Sequence, residues 1–369
     1  MTVYFNFLGV RRKLENYHRF REESKRQGLP LLVVELAIGD RPFELEEGDA
    51  DVIVRRRGSR KNLLWQKERL LNLGLEQLPE ECTKVAWLDA DVLFPNDGWV
   101  ARCESLLDDH DVIQLYSEAV KLPRRGLRRF DPEAAPEGPA DGQKCYGIVA
   151  SLEQGLYDGQ GSAGPGGYLA HPGFAWAARR DVLRHIGFFD RNLTGSSDSV
   201  MARIVLGFPL APLRRRRLVD GHAAAWAWKV RRHVKSVSFL DGTLLHLWHG
   251  SYKHRQYVMR GAALMRRRSF DFSKDVRLGA DGLWEWVDPD NGWVDDMRSF
   301  FRKRNEDGRW QEEVVHRHVF SEDAWWVLRE RLHRVAGLVG KGLRRVNPRA
   351  YRWLKRSLSG RETVKRGRR

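Results

Sequence analysis

The first third of the chain alternates between apolar runs and helical segments, which predicts an α/β start. Val3 to Leu8 and Leu31 to Leu36 are short apolar runs typical of strands, and Lys13 to Gln27 is predicted to be a helix that Gly28 ends. Strand, helix and strand in this order indicate a parallel, doubly wound sheet. The glycine-rich fingerprints of dinucleotide-binding and P-loop proteins are absent from the sequence of the first turn.

A second helix and strand follow, and the strand ends in two carboxylates. Trp65 to Leu78 carries leucines at helical spacing, and Pro79 stops this helix. Lys84 to Phe94, KVAWLDADVLF, is an apolar run that contains Asp89 and Asp91. Because side chains alternate along an extended backbone, both carboxylates lie on one side of it. In open α/β sheets ligands bind at the carboxyl ends of the strands, so a substrate is expected there.

The middle of the chain changes character. A helix from about Asp97 to Leu107 and a strand from Asp111 to Leu115 lead into residues 123–173, where Pro, Gly, Asp and Ser dominate. We predict a long loop there, with Gly161 to Gly167 as a lid over the site, and disorder as the alternative. Regular structure resumes with the run from Gly173 to Ala178 and a short helix from Arg180.

Four further elements are predicted in the second half of the chain. They are a helix from His222 to Val234, a strand from Thr243 to Trp248, a basic helix from Arg255 to Arg267 and a hairpin from Asp275 to Val287. No internal repeat is present in the sequence.

Composition places the chain among globular proteins. With 369 residues, 42% of them hydrophobic, it has room for one large domain or two modest ones. The cysteines Cys82, Cys103 and Cys145 are scattered, which indicates a reducing compartment and argues against a cysteine zinc site. No stretch of about 18 apolar residues occurs. We therefore expect a cytoplasmic protein without signal peptide or membrane anchor.

Positive charge is concentrated at the C-terminus. Of the formal net charge of +16, residues 331–369 contribute +13, which leaves +3 for the rest of the chain. From Glu322 onward, apolar residues step by three or four, typical of an amphipathic helix with a basic face. Such a tail suits the anionic inner face of a membrane. Packing on the catalytic body or on a second copy, and binding to a polyanion, are the alternatives.

The aspartate pair is the main candidate for chemistry. Two adjacent carboxylates repel each other unless a cation lies between them, and Mg²⁺ or Mn²⁺ bound to a diphosphate would supply that charge. The alternative is that Asp89 and Asp91 are ordinary turn aspartates.

Four segments, in order, resemble metal-dependent GT-A glycosyltransferases, and in particular the β-1,4-galactosyltransferase and chondroitin-polymerase-like branch. The first is FNFLGVRRKLENYHRFRE, which resembles the nucleotide-binding strand and loop of these enzymes. The others are KERLLNLG before AWLDADVLF, GFAWAARRDVLRHIGFFD before GSSDS, and HLWHG. The resemblance covers Val3 to about Arg260.

The resemblance implies a GT-A fold, a Rossmann-like mixed sheet flanked by helices. We predict a catalytic domain at residues 1–265, its extension at 266–310 and a basic helical tail at 311–369.

It also implies a set of metal ligands. Asp91 is expected to bind the metal directly, and Asp89 to contact the ribose or the metal through water. His249 is expected to complete the coordination from another strand, with His246 as the competing candidate.

The resemblance further makes Asp198 the candidate general base. An inverting transfer needs a carboxylate that takes the acceptor's hydroxyl proton. The relatives carry Gly-Glu-Asp at this place, whereas this chain carries Gly195, Ser196, Ser197 and Asp198, so the first acid is missing. A helix N-cap is the alternative role for Asp198.

Contacts to the donor are predicted from charge and aromatic character. Arg11, Arg12, Lys67 and Arg69 are candidate contacts for the diphosphate or the nucleobase, and solvated surface positions are the alternative. Trp176 is a candidate for stacking on a sugar, and Phe174 is interpreted as sheet core.

Together these features predict transfer of a sugar from a nucleotide sugar, in this branch usually a UDP-sugar, to a glycan or lipid-linked acceptor. One alternative is a haloacid-dehalogenase-like phosphohydrolase, whose D-x-D lies on an early strand and is followed by Gly-Thr, whereas Val92 and Leu93 follow here. Another is a polyanion-binding protein with an inactive glycosyltransferase fold. No binding of a specific nucleic acid is expected.

Overall fold

The computed structural model describes residues 1–123, 143–157, 170–210, 221–250 and 270–307. Its strands are β1 (Thr2–Phe5), β2 (Leu32–Ile38), β3 (Val52–Gly58), β4 (Lys84–Leu88), β5 (Val92–Leu93), β6 (Val112–Gln114), β7 (Glu118–Lys121), β8 (Gln143–Gly147), β9 (Ala170–His171), β10 (Ala175–Arg179), β11 (Val237–Phe239), β12 (Thr243–His246), β13 (Val276–Leu278) and β14 (Trp284–Trp286). Its helices are α1 (Arg11–Arg26), α2 (Lys67–Glu76), α3 (Trp99–Asp109), α4 (Ile148–Glu153), α5 (Arg180–Ile186), α6 (Ser197–Val205), α7 (Gly221–His233), α8 (Phe272–Asp275) and α9 (Trp293–Lys303), with a 3₁₀ turn at Arg60–Asn62.

The predicted parallel start is confirmed. Strand β1 pairs with β2, and β2 pairs with β3, both in parallel. On its other side β1 lies against β4, because the Met1 amino group donates to the Ala86 carbonyl at 2.6 Å and the Leu88 amide donates to the Met1 carbonyl at 3.1 Å. In a parallel pair of strands, one residue bonds to the two residues that flank its partner on the neighbouring strand. Met1 does so with Ala86 and Leu88. The strand order is therefore β3-β2-β1-β4.

This order places a topological switch point at β1 and β4. From β1 the chain proceeds to β2 on one side, whereas β4 occupies the other side. Strand β10 continues the sheet antiparallel to both β4 and β6, and β11 extends it in parallel to β6. The result is a mixed sheet flanked by helices, so the predicted α/β fold class is confirmed.

A second sheet carries the strand that follows the aspartates. Its order is β5-β12-β7-β8-β9, with β12 antiparallel to β5 and parallel to β7. Strand β12 thus lies next to the short strand that leaves Asp91. The predicted hairpin is confirmed as β13 and β14, which pair antiparallel.

The prediction of a loop throughout residues 123–173 is wrong for the described part of that span. Strand β8 pairs antiparallel with β7, and α4 follows it with buried side chains from Ile148 to Ser151. The apolar run between the Pro- and Gly-rich stretches forms these elements. The predicted lid from Gly161 to Gly167 lies outside the described residues.

The first 308 residues form one compact unit, Met1–Gly308. Its largest apolar cluster joins residues of β1, β2 and α2 to residues of the hairpin and α9, so the predicted extension after residue 265 shares the core of the catalytic body. The predicted boundaries at 265 and 310 stay predictions. The basic helix from Arg255 to Arg267 and the tail lie outside the described residues.

Candidate active site

The turn after β4 brings Asp91 to two histidines. The Leu247 amide donates to the Asp91 carbonyl at 2.8 Å, and His246 is paired with Val92 across β12 and β5. His249 Nδ1 bonds Asp91 Oδ2, and His246 Nε2 lies 3.7 Å from Asp91 Oδ1. One ligand atom from each of the three side chains lies within 4.8 Å of the others. Both candidate histidines therefore reach the same carboxylate.

The chemistry of this cluster fits a divalent cation. Asp91 Oδ1 is buried and has no hydrogen-bond partner among the described residues, although a buried carboxylate oxygen without a partner is costly. A cation beside it would satisfy that oxygen. Imidazole nitrogens and carboxylate oxygens are both ligands that divalent cations take in proteins.

Asp89 has a different partner. Its carboxylate forms an ion pair with the Lys67 ammonium at the start of α2, and its amide donates to the Phe174 carbonyl at 2.8 Å. Burial lowers the pKa of Lys67, but the neighbouring carboxylates, Asp89 first among them, raise it above its ordinary value. The structure thus places Asp89 beside the cluster and not within it. Its predicted contact with a metal or ribose stays a prediction.

A cleft opens above these side chains. It encloses about 1050 Å³, part of it open to solvent, and is lined by β1, the start of α2, the aspartate turn, Asp198 and both histidines. Because it lies at the carboxyl ends of β1 and β4, it occupies the switch point at which open α/β sheets bind ligands.

Asp198 lies in the first turn of α6 and lines the cleft. Its Oδ1 accepts a hydrogen bond from the Ser199 amide at 2.8 Å. Its Oδ2 faces Gly173, where an added Cβ would come within 2.6 Å. The N-cap position belongs to Ser196, which has φ 79°, so the helix-cap alternative for Asp198 does not hold.

The two aromatic candidates have structural partners. Trp176 is 6% exposed, and its indole Nε1 donates to the Pro172 carbonyl at 2.9 Å. It lines an apolar cavity below the cleft. Phe174 stacks on His171 with ring centroids 3.8 Å apart and lies 4.5 Å from the His246 ring. Phe174 therefore supports the histidine cluster, while stacking of Trp176 on a sugar stays a prediction.

Three of the four basic candidates, Arg11, Arg12 and Arg69, are not among the described residues that line the cleft. Arg69 donates to the Gly282 carbonyl at 2.6 Å and pairs with Asp190. The Arg11 side chain is 78% exposed and pairs with Glu15, and Arg12 pairs with the same carboxylate. Arg69 thus joins α2 to the hairpin, whereas the pairs of Arg11 and Arg12 with Glu15 lie within α1. The predicted role of all three at the donor remains untested. Lys67 does line the cleft.

Sequence reasoning missed four charged residues of the cleft, Lys13, Glu68, Arg304 and Glu306. Lys13 and Arg304 converge from α1 and the end of α9 on Glu306, at 3.5 Å and 2.8 Å. Arg304 is remote in sequence from every segment that carries the resemblance. Glu68 is 4% exposed, and burial raises its pKa to about 7.

Comparison with known proteins shows only distant likeness. No family model and no curated protein matches the chain. A structure of glucosyl-3-phosphoglycerate synthase from Mycobacterium tuberculosis with Mn²⁺, uridine diphosphate and phosphoglyceric acid is 13% identical, covers 77% of this chain and 84% of its own, and has a TM-score of 0.35. A mycobacterial protein is 14% identical over 77% of this chain and 81% of its own, with a TM-score of 0.36. Likenesses this distant do not bear on function.

None of the described helices is both long and apolar enough to cross a bilayer.

Proposed function

We propose that this protein is a metal-dependent glycosyltransferase of the GT-A type that transfers a sugar from a nucleotide sugar, most simply a UDP-sugar. The observation that carries this proposal is the cluster of Asp91, His246 and His249 at the switch point between β1 and β4. A divalent cation there would hold the diphosphate of the donor and offset the charge that develops on it as it leaves.

Cations of the chain surround the place where the diphosphate would lie. Lys67, Lys13 and Arg304 all line the cleft that contains the histidine cluster. Fixed positive charges aimed at a leaving group lower the barrier, because they are already oriented when charge develops. We therefore propose Lys13 and Arg304, beside the predicted Lys67, as contacts of the diphosphate, while the role of Arg11, Arg12 and Arg69 stays a prediction.

Asp198 is proposed as the general base. It lies in the same cleft as the metal cluster and approaches from another element, α6. The acceptor hydroxyl would give its proton to the Asp198 carboxylate as its oxygen attacks the anomeric carbon. The bond from that carbon to the diphosphate oxygen would break on the opposite face, so the configuration would invert.

The acceptor is proposed to be a glycan or a lipid-linked sugar, and the protein to work in the cytoplasm at the inner face of a membrane. Support for the membrane comes only from the sequence of residues 322–369. The phosphohydrolase alternative gains nothing from the described site, because it does not predict two histidines beside the second aspartate.

Nucleotide release tests the function. A panel of nucleotide sugars is incubated with the protein and Mn²⁺ or Mg²⁺, and we expect metal-dependent release of the nucleoside diphosphate. Asp91→Ala should lower the rate at least about a hundredfold, since it removes a ligand. The surface variant Asp108→Ala, 69% exposed in the parent side chain, is the matched control. Full activity of Asp91→Ala would remove the metal centre from the mechanism.

A further inference from the structure

Glu68 is a buried acid that the proposed chemistry does not yet use. It lies in the first turn of α2, and its residue is 4% exposed. It lines both the cleft and the apolar cavity beneath it, as do Lys67, Asp89 and Asp198. Glu68 therefore belongs to the wall that separates the polar cleft from the core.

The neighbouring Lys67 ammonium and the Glu68 amide favour the ionised form of this carboxylate, but the effect of burial outweighs them. Among the described residues, one side chain donates a hydrogen bond to it, the Trp65 indole Nε1 at 3.1 Å from Oε2. The positive end of the helix dipole also favours an acidic residue, but this effect is smaller than the usual cost of burying a carboxylate. Side chains whose placement costs stability, such as a buried acid with few partners, are concentrated at functional sites.

The position of the transferred sugar follows from the two ends of the reaction. Its anomeric carbon must lie between the diphosphate, held at Asp91 and the histidines, and the acceptor oxygen, held at Asp198. Asp91 and Asp198 line one cleft, and Glu68 lines it with them. A sugar ring in that interval would present its hydroxyl groups to the side chains of this wall.

Building on the proposed function, we propose that Glu68 determines specificity for the transferred sugar, by accepting a hydrogen bond from one of its hydroxyl groups. The Trp65 indole donates to Oε2, and no other side chain of the described residues donates to this carboxylate, whose residue lines the cleft. Above about pH 7, where Glu68 is ionised, this acceptor discriminates strongly, because a sugar without the matching hydroxyl would leave the buried carboxylate unsatisfied.

Calorimetric titration at pH 8 of the full-length protein with Mn²⁺ and either UDP, UDP-glucose or UDP-galactose tests this role. We expect Glu68→Gln to bind UDP within twofold of the parent, and to bind the sugar nucleotide that the parent prefers about tenfold more weakly. Glu68→Ala should lose more than Glu68→Gln. Glu35→Gln is the control, since Glu35 is a buried acid, 2% exposed, whose carboxylate accepts the Glu44 and Leu45 amides away from the cleft.

Deoxy analogues of the preferred UDP-sugar identify the hydroxyl and separate binding from folding. In the parent protein, removal of one hydroxyl should lower affinity about as much as Glu68→Gln does, and in the variant the same removal should cost nothing further. Equal losses for UDP and UDP-sugar, or fully additive losses, would overturn the role of Glu68. A parent protein that binds no UDP in the presence of Mn²⁺ would instead overturn the proposed function, and this inference with it.

Discussion

Two aspartates in one turn face different partners and therefore take different roles. Asp91 faces His246 and His249, and its Oδ1 has no hydrogen-bond partner among the described residues, whereas Asp89 is paired with Lys67. Each carboxylate thus has its own partner, which reduces the repulsion between the two. We therefore propose that metal binding depends most on Asp91, and that Asp89 holds Lys67 at the edge of the cleft.

At the same scale, Asp198→Asn tests the base. The amide is nearly isosteric and keeps an oxygen that can accept from the Ser199 amide, so the fold and donor binding should be retained. Loss of a general base typically lowers the rate by about 100- to 10,000-fold. We expect UDP affinity in the presence of Mn²⁺ to stay within twofold while transfer falls by that range. Undiminished transfer would exclude Asp198 as the base.

Glu68 makes stability depend on pH. Because burial raises its pKa to about 7 in the folded protein, the folded state holds a proton on Glu68 between about pH 4.5 and 7 that the unfolded chain has released. The free energy of unfolding should therefore fall as pH rises through this window.

Denaturant unfolding at pH 5 and pH 8 measures this dependence. From pH 5 to pH 8 the parent should lose on the order of 2 kcal/mol more than Glu68→Gln, in which the titrating group is absent. Identical pH dependence in the two proteins would show that Glu68 titrates normally.

Some site residues could be predicted from sequence and others could not. Asp91, His246 and His249 lie at or just beyond strand ends. There the alternation of side chains along the strand and a short connecting loop determine where each side chain lies. Glu68, Lys13 and Arg304 are ordinary charged helix residues until α1, α2 and α9 pack around one cleft. Their burial depends on tertiary packing, which no local pattern contains.

At the scale of elements, α2 is the part that sets the geometry of the site. It packs against β2 through Gly74, where an added Cβ would lie 2.9 Å from Val34 Cγ2 and 3.2 Å from Leu32 Cδ2. This close approach fixes the height of the helix above the sheet. The same helix presents Lys67 and Glu68 to the cleft at its other end.

Gly74→Ala tests this coupling. The methyl group would push α2 away from β2, and we expect a loss of about 1–3 kcal/mol in the free energy of unfolding, measured with denaturant. Gly221→Ala is the control. Gly221 begins α7, and a Cβ added there would meet none of the described residues within 4 Å, so this change should be neutral or slightly stabilising. A neutral Gly74→Ala would show that the helix is not held at contact distance.

Elements were predictable where one pattern dominates their sequence. The leucines of α2 and the apolar runs of β1 and β2 are clear. Strand β3 ends in three arginines and a glycine, and β7 has only four residues with charged ends, so neither has a strand pattern of its own. These strands form because β2 and β12 offer them backbone partners.

At the scale of the whole molecule, the sequence concentrates positive charge at the C-terminus. Residues 331–369 contribute +13 of the net charge of +16. From this basic amphipathic sequence, we propose that the tail locates the protein at an anionic membrane and takes no part in the transfer.

Deletion from Arg331 onward tests this proposal. Metal-dependent nucleotide release should stay within about twofold of the full chain, while binding to anionic vesicles should weaken, by about 1 kcal/mol for each basic residue removed that lies near the surface. Sedimentation with vesicles that contain phosphatidylserine measures the second effect. Unchanged sedimentation would assign the tail to packing or to another polyanion.

Binding of Mn²⁺ in the presence of UDP tests the central claim most directly. Titration followed by the electron paramagnetic resonance of free Mn²⁺ should show one ion bound per chain, with affinity raised by UDP and lost in Asp91→Ala. Absence of binding by the intact protein, or equal binding by Asp91→Ala, would contradict a metal centre at Asp91, His246 and His249.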